Sequence, residues 1–231
     1  MVEPKWARSH DHVSTTSAAV SAGGRIFYIV DEAPTASVAL APKWSLVARD
    51  AFNGVLLWKV PVPDWQYHLR GFRSGPAELA RRLVAVGDRV YVTLGYGQPV
   101  CALDAATGRT VQTYAQTGQT LEFICHGGVL FVVTAEAMLD AEGEARLAQS
   151  AAEKWNFWPV YNAPAPQKRL LAVQAESGET RWTKSGPDVA QLMPTALAAA
   201  GKRVFFENLQ EVICADAASG QDVWRAARPL T

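Results

Sequence analysis

The sequence predicts an all-β molecule made of four tandem four-stranded units, and three observations carry that prediction. An eleven-residue pattern, A-x-D-A-x-[NST]-G-x-x-x-W, recurs four times. A shorter pattern, a glycine turn running into a hydrophobic strand, precedes each copy. The stretches flanking both are rich in β-branched and aromatic residues, which favour a pleated, half-buried backbone. Two signals in the same order at four places mean a repeat architecture.

The eleven-residue copies run 48–58, 102–112, 172–182 and 214–224. The first is complete. The second has Gln112 in place of Trp, the third Gln174 in place of Asp, and the fourth Cys214 in place of Ala. An Asp followed within a few residues by Gly is turn chemistry. The carboxylate of Asp104 accepts amides ahead of it, and Gly108 takes a positive φ without steric cost. The shorter pattern is Gly23-Gly24-Arg25-Ile26-Phe27, then Gly87-Asp88-Arg89-Val90-Tyr91, Gly127-Gly128-Val129-Leu130-Phe131 and Gly201-Lys202-Arg203-Val204-Phe205. Each repeat parses into four strands. In the second they fall at about 82–86, 89–94, 99–103 and 109–114.

Four-stranded antiparallel units in tandem are the blades of a β-propeller. The whole chain, 1–231, reads as one propeller region with blades at about 13–62, 80–116, 119–185 and 193–228. The terminal Trp of the pattern is placed to dock between neighbouring blades, so a weaker contact is expected where Gln112 replaces it. Extra residues fall within 31–45, within the insertion 136–168, and in the connection 61–81. Loops of this length on a rigid scaffold are where binding functions concentrate. The Ala- and Glu-rich stretch 136–154 is the one helix expected in the chain.

Composition removes several function classes. Twenty-two Lys and Arg balance 22 Asp and Glu, which leaves no electrostatic footprint for a nucleic acid. No apolar run reaches the length of a spanning helix, so no membrane span is expected. Cys101, Cys125 and Cys214 are widely spaced and contain no C-x-x-C, so they read as buried thiols. The first twelve residues carry no apolar segment and no cleavage site, so no secretory signal is read there.

The A-x-D-x-x-[ST]-G-x-x-x-W pattern resembles the tryptophan-docking motif of the pyrroloquinoline-quinone (PQQ) repeat. That repeat builds the eight-bladed propellers of quinoprotein alcohol dehydrogenases and of non-catalytic relatives such as the outer-membrane-protein assembly lipoprotein BamB. The resemblance covers about residues 13–228. It implies that four blades are half of an eight-bladed ring. The expectation is therefore a part of a longer propeller protein, with two copies completing one ring as the alternative. For a full-length parent it implies an extracytoplasmic or periplasmic location. A quinoprotein site would imply calcium on carboxylate and amide ligands, an Asp base, a Trp stacked on the quinone and a disulfide between adjacent cysteines. Adjacent cysteines are absent and no such cluster stands out, so neither PQQ nor calcium is expected as a cofactor.

Other candidate sites are sparse. His10 and His12 would face one side of a strand, but no third metal ligand accompanies them, and they read as a polar lead-in. His68 and His126 stand alone. No G-x-S-x-G is present, and Gly95-Tyr96-Gly97 lies between strands, where it reads as a hairpin turn. The more informative feature is aromatic loops: Trp65 and Tyr67 in the first connection, and Trp155, Phe157 and Trp158 in the long insertion. They could stack on a carbohydrate or small ligand or anchor a protein partner, or instead cap the propeller's apolar rim. The leading expectation is a non-catalytic scaffold that binds through such loops, with self-association through open blade faces as a further mode. The alternative is part of a PQQ-dependent dehydrogenase.

Overall fold

The computed structural model describes residues 16–34, 41–69, 80–136, 139, 142–143, 145–146, 149–150 and 166–228. Four antiparallel four-stranded sheets account for nearly all of the regular structure among them. Blade 1 holds β1 (Thr16–Ala22), β2 (Arg25–Asp31), β3 (Trp44–Asp50) and β4 (Leu56–Pro61). Blade 2 holds β5 (Leu83–Val86), β6 (Arg89–Thr93), β7 (Val100–Asp104) and β8 (Thr110–Thr113). Blade 3 holds β9 (Thr120–His126), β10 (Val129–Ala135), β11 (Lys168–Gln174) and β12 (Thr180–Lys184). Blade 4 holds β13 (Ala198–Ala200), β14 (Arg203–Glu207), β15 (Glu211–Asp216) and β16 (Asp222–Ala227). Strands pair in sequence order within each sheet. The first strands lie side by side, β1 on β5, β5 on β9 and β9 on β13.

The two sequence signals meet in space. The amide of the template's second Ala bonds to a carbonyl of the preceding glycine turn in every blade: Ala51 to Gly24, Ala105 to Asp88, Ala175 to Gly128 and Ala217 to Lys202, at 2.9–3.0 Å. The Asp of the template closes its own turn. Asp104 Oδ1 accepts the amides of Ala106 and Thr107 at 3.1 and 2.8 Å, and Asp216 does the same for Ala218 and Ser219. The first template position pairs across the ladder with the docking residue: Ala48 with Trp58, Ala102 with Gln112, Ala172 with Trp182, Cys214 with Trp224. A register shift follows that position in every blade. A small residue opposite a large one leaves room for the indole, which is why the pattern begins with Ala or Cys.

The cores lie between blades, not within them. One, between blades 1 and 2, includes Phe27, Leu46, Trp58, Val90 and Leu103. A second, between blades 2 and 3, includes Tyr91, Tyr114, Phe123, Leu130 and Val173. A third, between blades 3 and 4, includes Phe131, Leu170, Val204, Phe206 and Ile213. An inner blade is therefore buried on both faces. This explains why β10 (Val-Leu-Phe-Val-Val-Thr-Ala) is buried throughout and apolar but for Thr134: Leu130 and Val132 face blade 2, while Phe131 and Val133 face blade 4.

Each junction uses one device. The Trp58 indole N–H donates to the Ala105 carbonyl at 3.0 Å, and its ring lies over Gly108. The Trp182 indole donates to Ala217 at 3.0 Å and lies over Gly220. A Cβ on either glycine would sit 2.7 Å from an indole carbon, so the template's Gly is required by close approach as well as by positive φ. At the blade 2–3 junction, where Gln112 was expected to weaken the contact, a neighbouring residue supplies the donor. Tyr114, two residues on and 1 % exposed, donates its hydroxyl to the Ala175 carbonyl, the acceptor equivalent to Ala105 and Ala217. Gln112 lies over Gly178 in the indole's place. The docking aromatic also meets an aromatic from the second strand of its own blade. The pairs are Phe27–Trp58, Tyr91–Tyr114, Phe131–Trp182 and Phe205–Trp224.

In the long insertion, the described residues 142–143, 145–146 and 149–150 are helical, and Arg146 pairs with Glu142 one turn back.

Candidate functional site

The polar side chains that the fold gathers lie where the first strands meet. Arg81 and Arg82 lead into β5, Glu122 sits in β9, and Leu197 leads into β13. The Glu122 side chain is fully buried. Its Oε1 accepts Arg81 Nε at 2.6 Å and also pairs with Arg81 Nη2, while the same Nη2 donates to the Leu197 carbonyl. One arginine thus ties blades 2, 3 and 4 together. Burial pushes the Glu122 carboxyl up to about 7, against the pull of Arg81 and Arg82. Its Oε2 has no hydrogen-bond partner among the described residues.

A short 3-10 turn, Trp65–Leu69, brings aromatic residues to the same region. His68 is buried, its Nε2 3.4 Å from the Gly95 carbonyl. Its ring meets Trp65 edge-on at 4.9 Å and Tyr96 at 5.0 Å. Burial, reinforced by the nearby Arg82 charge, holds His68 well below its ordinary value, so it is neutral near pH 7. Burial also lowers Arg82 to about 10, with Glu122 and Tyr96 opposing. Arg82 Nε reaches the Thr120 carbonyl at 3.5 Å, a marginal hydrogen bond, so the guanidinium is the least committed donor of the group.

The sequence-derived candidates fare unevenly. Trp65 is 3 % exposed, packs into the blade 1–2 core and donates its indole N–H to Ser17 Oγ at 2.7 Å. Of the two roles open to the loop aromatics, the packing of Trp65 is that of a cap on the rim. Tyr67 is half-buried against Tyr96, ring centroids 5.6 Å apart. Trp155, Phe157 and Trp158 lie outside the described residues, as do His10 and His12. His68, read in isolation as a solitary histidine, belongs to the Arg82–Tyr96 cluster. His126 bridges blades, its Nε2 3.0 Å from the Gly201 carbonyl. Sequence reading did not single out Arg81, Arg82 or Glu122. The available signal was a carboxylate inside the otherwise apolar run of β9, which demands a buried counter-charge.

These residues do not fit a calcium–quinone site. The carboxylate at the centre is held by an arginine, and no group of three His, Cys, Asp or Glu among the described residues could hold a metal ion. Cys101, Cys125 and Cys214 are free thiols on different blades. No helix of the described residues is long and apolar enough to cross a membrane.

Comparison with known proteins places this arrangement. No curated protein sequence matches the chain. Among solved structures, a europium-containing methanol dehydrogenase aligns with a TM-score of 0.55 at 9 % identity, over 90 % of this chain and 40 % of that one. The quinohemoprotein alcohol dehydrogenase of Comamonas testosteroni aligns with 0.52 at 14 % identity, over 94 % and 36 %. An acylaminoacyl peptidase of Pyrococcus horikoshii aligns with 0.56 at 7 % identity, over 96 % and 34 %. At these identities the likeness is one of fold, and the chain spans well under half the length of each. The family model described as outer membrane protein assembly factor BamB matches residues 42–226. With that match covering most of the chain, and the same docking device repeated at every blade junction, the chain belongs to the BamB-like family of PQQ-type β-propeller repeats.

Proposed function

We propose that this chain is a non-catalytic propeller scaffold that binds a protein or small ligand, in an extracytoplasmic setting. The observation that supports this is the Arg81–Glu122–Leu197 clamp. The buried carboxylate of Glu122, where the first strands meet, is engaged in holding three blades together. A base must be free to reach a substrate proton, and this one is fully buried and ion-paired. Binding is assigned to the connections that leave the blades, 61–81 and the insertion 136–168, with Trp155, Phe157 and Trp158 as the contact aromatics of the latter.

The test is direct. The chain is titrated with PQQ and Ca²⁺, and the quinone absorbance and dye reduction with alcohols and sugars are followed. The scaffold reading expects no spectral change and no reduction. Turnover above the free-quinone control overturns it in favour of a dehydrogenase propeller. The loop assignment is tested with the double substitution Trp155→Ala and Trp158→Ala. Lost binding in a still-stable protein supports it, and loss of thermal stability assigns those residues to capping instead.

A further inference from the structure

The blade 2–3 junction ends in a row of polar groups that neither blade satisfies. Side chains alternate along a strand, so the faces follow from the core. In blade 2, Val84 and Tyr91 face blade 3, which puts Arg82 and Thr93 on that face, and the Thr93 amide donates to the Arg82 carbonyl at 3.3 Å. In blade 3, Leu130, Val132, Leu171 and Val173 face blade 2, which puts the ladder neighbours Thr134 and Arg169 on that face. Thr134 also pairs with Thr120, whose carbonyl lies 3.5 Å from Arg82 Nε. Gln119 closes the edge, its amide donating to the Gly97 carbonyl at 2.8 Å and its carbonyl accepting the Ala135 amide at 3.0 Å. Arg82 and Arg169, both half-buried, thus enter one junction from its two sides, with the fully buried Thr93 and Thr134 on its walls.

None of these side chains has the partner its chemistry requires. The Thr93 and Thr134 hydroxyls and Arg169 Nε are buried without a hydrogen-bond partner, as is Gln119 Oε1, whose amide offers N–H groups when turned over. Arg82 has only its marginal contact to Thr120. Neither arginine forms an ion pair among the described residues. Glu122, whose charge Arg82 feels, lies opposite Val133 of the blade 3–4 core and is taken by Arg81. Lys168, the residue before Arg169, is also buried without a carboxylate partner among the described residues, and burial lowers both it and Arg82. A buried cation without a counter-charge is costly. In a chain whose 22 cations balance 22 anions, three such cations at one edge point to an anion from outside.

We propose that this edge of the blade 2–3 junction binds a tetrahedral oxyanion, a phosphoryl or sulfuryl group, held between Arg82 and Arg169 with the Thr93 and Thr134 hydroxyls as further donors. Guanidinium forks match such groups in charge and shape. The donors come from both blades, which suits oxygens pointing in several directions better than the flat pair of a carboxylate. Arg82 and Arg169 directly follow the connections 61–81 and 136–168, so the site stands at the foot of both. It uses no residue of either, and its failure leaves the loop assignment as it stands.

Isothermal titration calorimetry with inorganic phosphate and with sulfate, in Tris chloride at neutral pH and constant ionic strength, tests it. One anion per chain is expected, with a Kd below about 1 mM, which two charge-assisted contacts suffice to give. Arg82→Met and Arg169→Met are each expected to weaken binding at least about tenfold, and Thr93→Val about two- to tenfold. Arg109→Met removes the same charge from an exposed turn and should leave the Kd unchanged. Because neither arginine of the site is paired, its loss should leave the ligand-free melting temperature at or above the wild-type value. If either substitution unfolds the chain, Arg82→Lys or Arg169→Lys, which keeps the charge and loses the fork, carries the same test. No saturable heat with either anion into the tens of millimolar overturns the proposal, as does binding that survives both arginine substitutions. Acetate binding as tightly as sulfate overturns the tetrahedral assignment.

Discussion

Gly108→Ala, measured beside Gly87→Ala, separates the two reasons a glycine stands in these turns. Both residues lie in blade 2 with positive φ, +73° and +58°. An alanine at either costs about 1–2 kcal/mol for the left-handed backbone. A Cβ at Gly87 meets nothing within 4 Å, so that strain is the whole effect. A Cβ at Gly108 would sit 2.7, 2.8 and 3.1 Å from three carbons of the Trp58 indole. Ordinary carbon contacts are about 3.5–4.0 Å, so the ring must retreat by nearly an ångström. Overpacking of this kind costs about 1–3 kcal/mol. The retreat also strains the 3.0 Å bond to Ala105, worth about 1 kcal/mol. Gly108→Ala is therefore expected to cost about 3–6 kcal/mol against about 1–2 for Gly87→Ala. Urea unfolding followed by circular dichroism reads the difference in midpoint, with the slope m as a check that the denatured state is unchanged. At about 2–4 °C per kcal/mol the two melting temperatures should differ by several degrees. Equal losses would refute the reasoning, because the docking contact would then contribute nothing beyond backbone strain.

The remaining expectations concern the same junctions and the inner-edge cluster. Tyr114→Phe keeps the ring but strips the donor from the Ala175 carbonyl, and is expected to cost about 1–2 kcal/mol in the same urea assay. Arg81→Met strips Glu122 of its hydrogen-bonded ion-pair partner and leaves only the more loosely placed Arg82 charge, and is expected to cost about 3 kcal/mol at pH 8, with a smaller loss at pH 5 where Glu122 is protonated. Glu122 is raised in the folded state from 4.5 to about 7, so its contribution is full below pH 4.5 and is lost as pH rises toward 7. Stability measured from pH 4.5 to 7.5 should accordingly fall less steeply, or rise, in Glu122→Gln. His68 acts in the opposite sense: its folded value lies well below 6.5, so its contribution is present above pH 6.5 and is lost as pH falls. The turn carboxylates Asp50, Asp104 and Asp216 are lowered from 3.8 by hydrogen bonds from their own turns. Stability should therefore fall further as pH drops below 3.8, and Asp104→Asn should flatten part of that loss in an acid titration.

The blade itself was legible in the sequence because its determinants are local. The Asp (Gln174 in blade 3), the following amides and the Gly of each turn lie within five residues, and the expected strands of blade 2 agree with β5–β8 to within a residue or two. The docking aromatic could be named from the pattern, since three of four copies end in Trp. Its replacement could not. Tyr114 lies outside the eleven-residue window, and it becomes the donor because its hydroxyl reaches Ala175, 61 residues away. The inner-edge cluster escaped for the same reason. Arg81 meets a carbonyl 116 residues on, and nothing in the local run around either residue announces the meeting. Trp65 shows the limit from the other side. A loop position and an aromatic type left stacking and rim-capping both open, and only the 3-10 turn, which rotates the ring into the blade 1–2 core, separates them.

The sequence by itself determined the repeat, the turn chemistry, the strand order and the docking role of Trp58 and Trp182, since hydrogen bonds and packing within a hairpin follow from residues a few positions apart. Tertiary structure alone decided which faces are satisfied. It covered Trp58 and Trp182, handed the junction at Gln112 to Tyr114 and locked Glu122 beneath Arg81. Burial depends on which blade stands next, and that neighbour is set by chain closure over tens of residues rather than by the side chains of the blade that needs it.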